Sequence, residues 1–156
     1  MTILDAYAVL AVLRREAASE QVTKILRRGG ASLTAIGLAE VIDRVIRLEH
    51  ADADEAALDV AQLGLGDAVP TTASIAASAG RLRARHYHRI RCALSMADCV
   101  AAETARTAER PLATADPSLL DVCHAERIAV IPLPATDGSM WRPTGSADSR
   151  PPETAR

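Results

Sequence analysis

Phenylalanine is missing from this chain, and other aromatics are scarce: two tyrosines and one tryptophan among 156 residues. A core must therefore be aliphatic, and recognition by stacking bases on an aromatic platform has little to draw on. Cysteine is sparse too. Cys92, Cys99 and Cys123 form no CxxC pair, which argues against a zinc ribbon or dithiol redox motif. Their odd number points to reduced thiols and a cytoplasmic home. No apolar run approaches the roughly 20 residues of a membrane helix, so a soluble protein that does not engage a membrane is expected. No basic segment leads into an apolar stretch at the start, so no signal peptide is expected. Neither GxGxxG nor a Walker loop occurs, which removes the common nucleotide-binding readings and leaves no organic cofactor to expect. A net charge of −2 does not by composition announce a nucleic-acid binder.

What is present is aliphatic and helix-forming. Hydrophobic residues make up 49% of the chain, dominated by Ala, Leu, Val and Ile, which suits one helix-rich domain. Thr2-Ile3-Leu4 reads as a strand, followed by a helix from Ala6. Ser19 is placed to cap a second helix through Arg28, stopped by Gly29-Gly30. ASLTAI can hold a short strand. GLAEVIDRVIRLEH carries a stripe of Leu38, Val41, Ile42, Val45 and Leu48, a strong helix. DADEAALDVAQLGLG is another helix, and DAVP a brief strand closed by Pro70. TTASIAASAGRLRARH is helical with Thr71 or Thr72 as cap, and Ser95 caps SMADCVAAETARTAER. PLATA is a strand before Asp116, PSLLDVCHAE a helix with Pro117 first, and IAVIPL the last strand. From Pro134 the chain is rich in Pro, Ser, Thr, Gly and Arg, and residues 134–156 are expected as a poorly ordered extension of a 1–133 domain. Strands alternating with helices predict an α/β fold, a small parallel sheet covered on both faces.

Four acids stand at element ends or core edges in that order. Asp5 and Asp116 each follow a strand, at the carboxyl edge where ligands of parallel sheets gather. Both are also good helix caps. Glu40 lies beside the apolar stripe, where it could snorkel or aim at a shared site, while Asp43 and Arg44 can face solvent. Asp98 sits three residues after Ser95, a capping pair, yet among apolar neighbours. Each acid alone has a comfortable structural explanation. As a set they suit another one: clustered carboxylates repel, and a divalent cation relieves the repulsion.

The segments LDAYAVLAVL, LAEV, LSMADCVAAETA and LATAD, in this order and spacing, resemble the four acidic motifs of PIN-domain nucleases, and more narrowly the VapC-type toxins of bacterial toxin–antitoxin modules. IAASAGRLRARHYHRIRCALSMADC is similar to the stretch that leads into their third acid. The resemblance covers roughly residues 1 to 133. It implies a three-layer α/β/α domain with a parallel sheet of four to five short strands, and a Mg²⁺- or Mn²⁺-dependent endoribonuclease. It maps the acids onto Asp5, Glu40, Asp98 and Asp116 and the accompanying hydroxyl onto Thr114. It further implies an RNA substrate, a homodimer and a cognate antitoxin. The extension after Pro134 departs from the family pattern.

RLRARHYHRIR packs Arg81, Arg83, Arg85, Arg89 and Arg91 into one segment. These arginines are candidates for RNA phosphate contacts, against the plainer reading of a solvated helix face. His86 and His88 read better as a helix end than as metal ligands. A phosphatase of the haloacid-dehalogenase type would need DxD after the first strand, and Tyr7 stands where its second acid would be. Two alternatives stay open: a non-catalytic binding module of this fold, and a deoxyribonuclease of the broader 5′-nuclease type.

Overall fold

The computed structural model describes residues 1–49 and 52–143. Four three-residue strands form one sheet: β1 (Thr2–Leu4), β2 (Ala31–Leu33), β3 (Leu112–Thr114) and β4 (Val130–Pro132). All pairings are parallel and the order is β2-β1-β3-β4. Parallel strands buried on both faces need no polar alternation. Leu4, Ala31, Leu33 and Ala113 feed one core, and Ile3 and Leu112 the other. The sheet is thus the middle of three layers.

The first core is completed by α1 (Ala6–Leu13), α2 (Ser19–Arg27), α3 (Ala35–Glu49) and α4 (Ala53–Ala61). The second is completed by α5 (Ala73–His86), α6 (Met96–Thr107) and α7 (Pro117–Ala125). The connection from β1 to β2 packs on one face and that from β3 to β4 on the other. Strand order therefore reverses between β1 and β3, and a crevice opens past their carboxyl ends. No helix among the described residues is long and apolar enough to cross a membrane. Cys99 and Cys123 are buried free thiols, pushed by burial to about 11 and about 12, too high for an activated nucleophile.

Several expectations need correction. Ser19 does not cap α2. It is the first helical residue, its N–H already donates to Glu16 O at 2.9 Å, and Ala18 holds the cap position without a side-chain bond. Arg28 follows the helix as its C-cap, and Gly29 and Gly30 take φ of 73° and 72°, the left-handed region that ends a helix cheaply. Helix α3 begins earlier than the pattern suggests, because Thr34 Oγ1 accepts from Gly37 N at 2.9 Å. Leu48 is 53% exposed, in the last turn of α3 beyond the residues that pack in the core. His50, expected to extend that helix, lies outside the described residues.

DAVP contributes only a single bridge, Val69 to Thr34. Pro70 has no N–H with which to continue the ladder. Within the extension, residues 134–143 fold back on the body: Tyr7 OH donates to Pro134 O at 2.9 Å, and Trp141 Nε1 donates to Asp121 Oδ1 at 2.9 Å. The remainder, 144–156, lies outside the described residues.

Candidate active site

The crevice at the reversal point holds a cavity of about 370 Å³. Asp5, Glu40, Asp98 and Asp116 all line it, brought there by four separate elements. Asp5 leaves β1, Asp116 follows β3, Glu40 sits on α3 and Asp98 in the first turn of α6. A second cavity of about 230 Å³, between α3 and α4, is lined by apolar residues such as Leu38, Ile42 and Val60 and carries no titratable side chain.

Each acid is also held by a local donor. Asp5 Oδ1 accepts from Ala8 N at 2.7 Å and caps α1. Asp116 Oδ1 accepts from Leu119 N at 2.9 Å and caps α7. Asp98 closes a capping box: its Oδ2 accepts from Ser95 N at 2.8 Å while Ser95 Oγ accepts from Asp98 N at 3.0 Å. Glu40 Oε1 accepts from Arg44 Nη2 at 2.7 Å. The capping explanation and the shared-cavity explanation are therefore both realised in the same side chains. A carboxylate has about four lone-pair directions, so one such bond leaves further acceptor capacity on each of these cavity-lining acids.

Burial grades across the site. Asp5 is buried, Glu40 and Asp98 are half-buried and Asp116 is exposed. Burial is the main force that raises the Asp5 carboxyl to about 7, and the charges of Asp98 and Asp116 add to it. The Thr114 hydroxyl and the Ala8 N–H pull the other way. Thr114 is fully buried beneath the site. Its hydroxyl bonds Asp5 and also accepts from Asp116 N at 3.1 Å, so one side chain ties the ends of β1 and β3 together.

Hard divalent cations take oxygen donors, and a wall that carries four carboxylates, with a buried Asp5 that resists ionisation, has the chemistry to receive one. The side chains stand apart in this arrangement: among the described residues, no three His, Cys, Asp or Glu groups are gathered closely enough to hold an ion. The donors are of the type such a cation takes, four carboxylates on one cavity wall.

Most of the basic segment is engaged internally. Arg83 Nε donates to Leu94 O at 2.9 Å and its guanidinium lies 4.0 Å from the Tyr87 ring centroid. Arg85 pairs with Glu126 at 2.8 Å, and Arg81 donates to Ser78 Oγ at 3.1 Å. His86 ends α5 and meets Glu126 at 2.6 Å, while His88 Nδ1 accepts from the backbone N–H of Ile90 and Arg91. His86 thus ends the helix as expected, whereas His88 lies past the helix in the following turn. Arg89 and Arg91 stand exposed on the turn that the His88–Cys92 bridge closes. Ala93, just beyond that turn, lines the cavity.

Sequence reasoning missed three parts of the wall. Arg44, expected to face solvent, lines the cavity, and its spacing of four from Glu40 was the available signal. Tyr7 also lines it, as do Ala135 and Thr136 from the start of the extension. Nothing in the composition after Pro134 marked those residues as cavity wall.

The sequence profile of the PIN domain matches residues 2–125. No curated protein sequence matches the chain. Among solved structures, FitAcB from Neisseria gonorrhoeae is similar at 23% identity, covering 84% of this chain and 96% of that one with a TM-score of 0.60. A toxin–antitoxin complex from Klebsiella pneumoniae is similar at 13% identity, covering 74% and 87% with a TM-score of 0.55. VapBC2 from Rickettsia felis, bound to a DNA fragment from their promoter, is similar at 13% identity, covering 83% and 96% with a TM-score of 0.59. At such identities the likeness is one of fold.

Proposed function

We propose that this chain, which belongs to the PIN domain family, is a metal-dependent endoribonuclease and the toxin of a toxin–antitoxin module. The observation that carries the reading is the convergence of Asp5, Glu40, Asp98 and Asp116 on one cavity at the strand-order reversal. Asp5 and Asp98 would hold a Mg²⁺ or Mn²⁺ ion most directly, with Asp116 and Glu40 completing the set. When bound, such an ion supplies positive charge against an attacking water and a leaving oxygen of a phosphodiester. The chain's own residues do the rest. Thr114 fixes Asp5 relative to Asp116. The capping box holds the Asp98 carboxylate at the start of α6. Asp5 is itself buried at the floor of the site, where charge interactions are stronger than in bulk water.

Partners follow the same reading. The neighbour described as a toxin–antitoxin complex supports an antitoxin protein as partner; a homodimer as the working state and the cytoplasm as its place complete the proposal. Cleavage is tested on RNA, single-stranded DNA and duplex DNA with Mg²⁺ or Mn²⁺. RNA is expected to be cut, and Asp98→Asn to lose on the order of 100-fold or more of the rate. An asparagine amide oxygen can still accept from Ser95 N and keep the capping box, so the variant should fold. In cells, expression should arrest growth and co-expression of an adjacent small gene should restore it. Undiminished cutting by both Asp98→Asn and Asp5→Asn, or no cutting by the parent, would sink the assignment. The second outcome would leave the non-catalytic binding module, and cutting confined to DNA would favour the deoxyribonuclease.

The arginines separate by their partners. Arg89→Ala with Arg91→Ala is expected to weaken RNA binding and to flatten its salt dependence by roughly 0.7 per lost phosphate contact, the value for single strands. Arg85→Ala, by contrast, should lower the melting temperature and leave the salt slope alone, because that side chain is spent on Glu126. Equal effects from the two sets, read by fluorescence anisotropy across a salt series, would refute the division.

A further inference from the structure

Arg44 introduces a charge the acidic site does not otherwise have. Among the described residues that line the carboxylate cavity, Arg44 alone is cationic. A polyanionic substrate approaching four carboxylates meets repulsion that falls only slowly with distance in a partly dry cleft. One guanidinium at the wall changes that balance locally. We propose that Arg44 is a substrate-binding residue of this site, one that grips a phosphate of the RNA chain beside the carboxylates. This inference rests on the nuclease reading given above.

The geometry distinguishes Arg44 from an ordinary helix pair. Its tie to Glu40 uses a single bond, from Nη2 to Oε1 at 2.7 Å. Arginine has five N–H donors in a planar fork suited to phosphate oxygens, so most remain for a ligand. The side chain is 42% exposed, against 24% for Glu40. It therefore faces both the cavity and the solvent from which a substrate arrives. The same helix carries an internal control. Arg47 pairs with Asp43 at the same spacing of four and 3.2 Å, with both side chains more than half exposed, and neither lines the cavity. If Arg44 only stabilised the helix, the two arginines would behave alike. A second consequence is that Glu40 is released when Arg44 turns to phosphate, leaving that carboxylate free for a cation.

The test measures binding of a fluorescein-labelled single-stranded oligoribonucleotide pool in Mg²⁺, in an Asp98→Asn background that does not consume it. Arg44→Ala is expected to raise Kd about tenfold, the loss of one charge-assisted contact, and to reduce the salt slope by roughly 0.7. Arg44→Lys should recover part of the affinity and all of the slope. Arg47→Ala should change neither, and the melting temperatures of Arg44→Ala and Arg47→Ala should match. Should Arg44→Ala melt lower, Arg44→Gln gives the same comparison with part of the aliphatic stem and an uncharged polar end kept. The inference is overturned if the Asp98→Asn parent binds RNA and Arg44→Ala and Arg44→Gln bind it with the same Kd and slope, or if Arg47→Ala shifts both as much. A parent that neither binds nor cuts RNA removes the nuclease reading and this inference with it.

Discussion

Asp5→Asn is expected to stabilise the metal-free protein while abolishing RNA cleavage. Asp5 is 7% exposed, and burial raises its carboxyl from 3.8 to about 7. Between those two values the folded chain holds a proton that the unfolded chain releases. Stability therefore falls as pH rises through that window, and above about 7 the full cost of a buried charge is carried. At about 1.4 kcal/mol per tenfold change in ionisation, the ceiling of that cost is roughly 4 kcal/mol. Relaxation and water entry reduce it, and about 2 kcal/mol is a reasonable expectation, or roughly 4–8 °C in melting temperature for a chain of this size. Asn removes the charge and keeps an oxygen for Ala8 N. The Thr114 hydroxyl has lone pairs to receive the new amide. Thermal unfolding in EDTA should show the variant above the parent at pH 8, with the gap closing toward pH 4. Added Mg²⁺ or Mn²⁺ should raise the parent and not the variant, since a ligand that binds only the folded state stabilises it. A gap that is the same at pH 4.5 and pH 8 would show that the charge of Asp5 is not the cause.

That trade between stability and chemistry explains why the acids were legible in the sequence but their meaning was not. Asp5, Asp98 and Asp116 each occupy a helix start, and each makes the capping bond that its position predicts. One carboxylate has more lone pairs than a single capping bond uses, so a satisfied cap says nothing against a site. Only topology adds the missing fact, by placing the ends of β1 and β3 next to one another. The three-layer architecture was readable for a related reason. Strands this short and apolar, separated by amphipathic helices, can be buried only between two helical layers.

What stayed hidden depends on contacts remote in sequence or on backbone that residue type does not announce. Arg15, Glu109 and Arg127 take positive φ of 52–56° just past α1, α6 and α7, where glycine would have marked the helix ends. Arg85 and Glu126 are 41 positions apart, so the run of arginines looked like one solvated or RNA-facing surface. Its members turned out to have different employments. Arg44 is the instructive miss: its spacing from Glu40 was visible, but an i,i+4 pair reads as a surface feature unless the helix is known to border a cavity.

Glu126→Gln is expected to cost the largest share of stability of any surface charge change, in a pH-dependent way. Glu126 follows α7 with its side chain only 17% exposed, and it receives Arg85 and His86 from α5 and Arg106 from α6. Those hydrogen bonds, His86 foremost, followed by Arg85 and Arg106, hold its carboxyl down at about 2, against an ordinary 4.5. Its contribution is therefore complete above about 4.5 and is lost as pH falls through about 2. The ceiling is roughly 3 kcal/mol, and 1–2 kcal/mol is the expected loss for a site still partly in contact with water. At pH 7 the melting temperature should drop by roughly 2–8 °C, and the difference from the parent should vanish toward pH 2. Glu20 makes an equally short pair, 2.6 Å to Lys24, but both side chains are well exposed. Glu20→Gln should leave the melting temperature unchanged, because solvent screens a single exposed pair and the two flexible side chains lose freedom in forming it. Burial and the number of converging donors, not the length of one contact, decide which carboxylate stabilises the fold. Equal small shifts for the two variants, or a Glu126→Gln deficit that persists undiminished at pH 2, would refute that ranking.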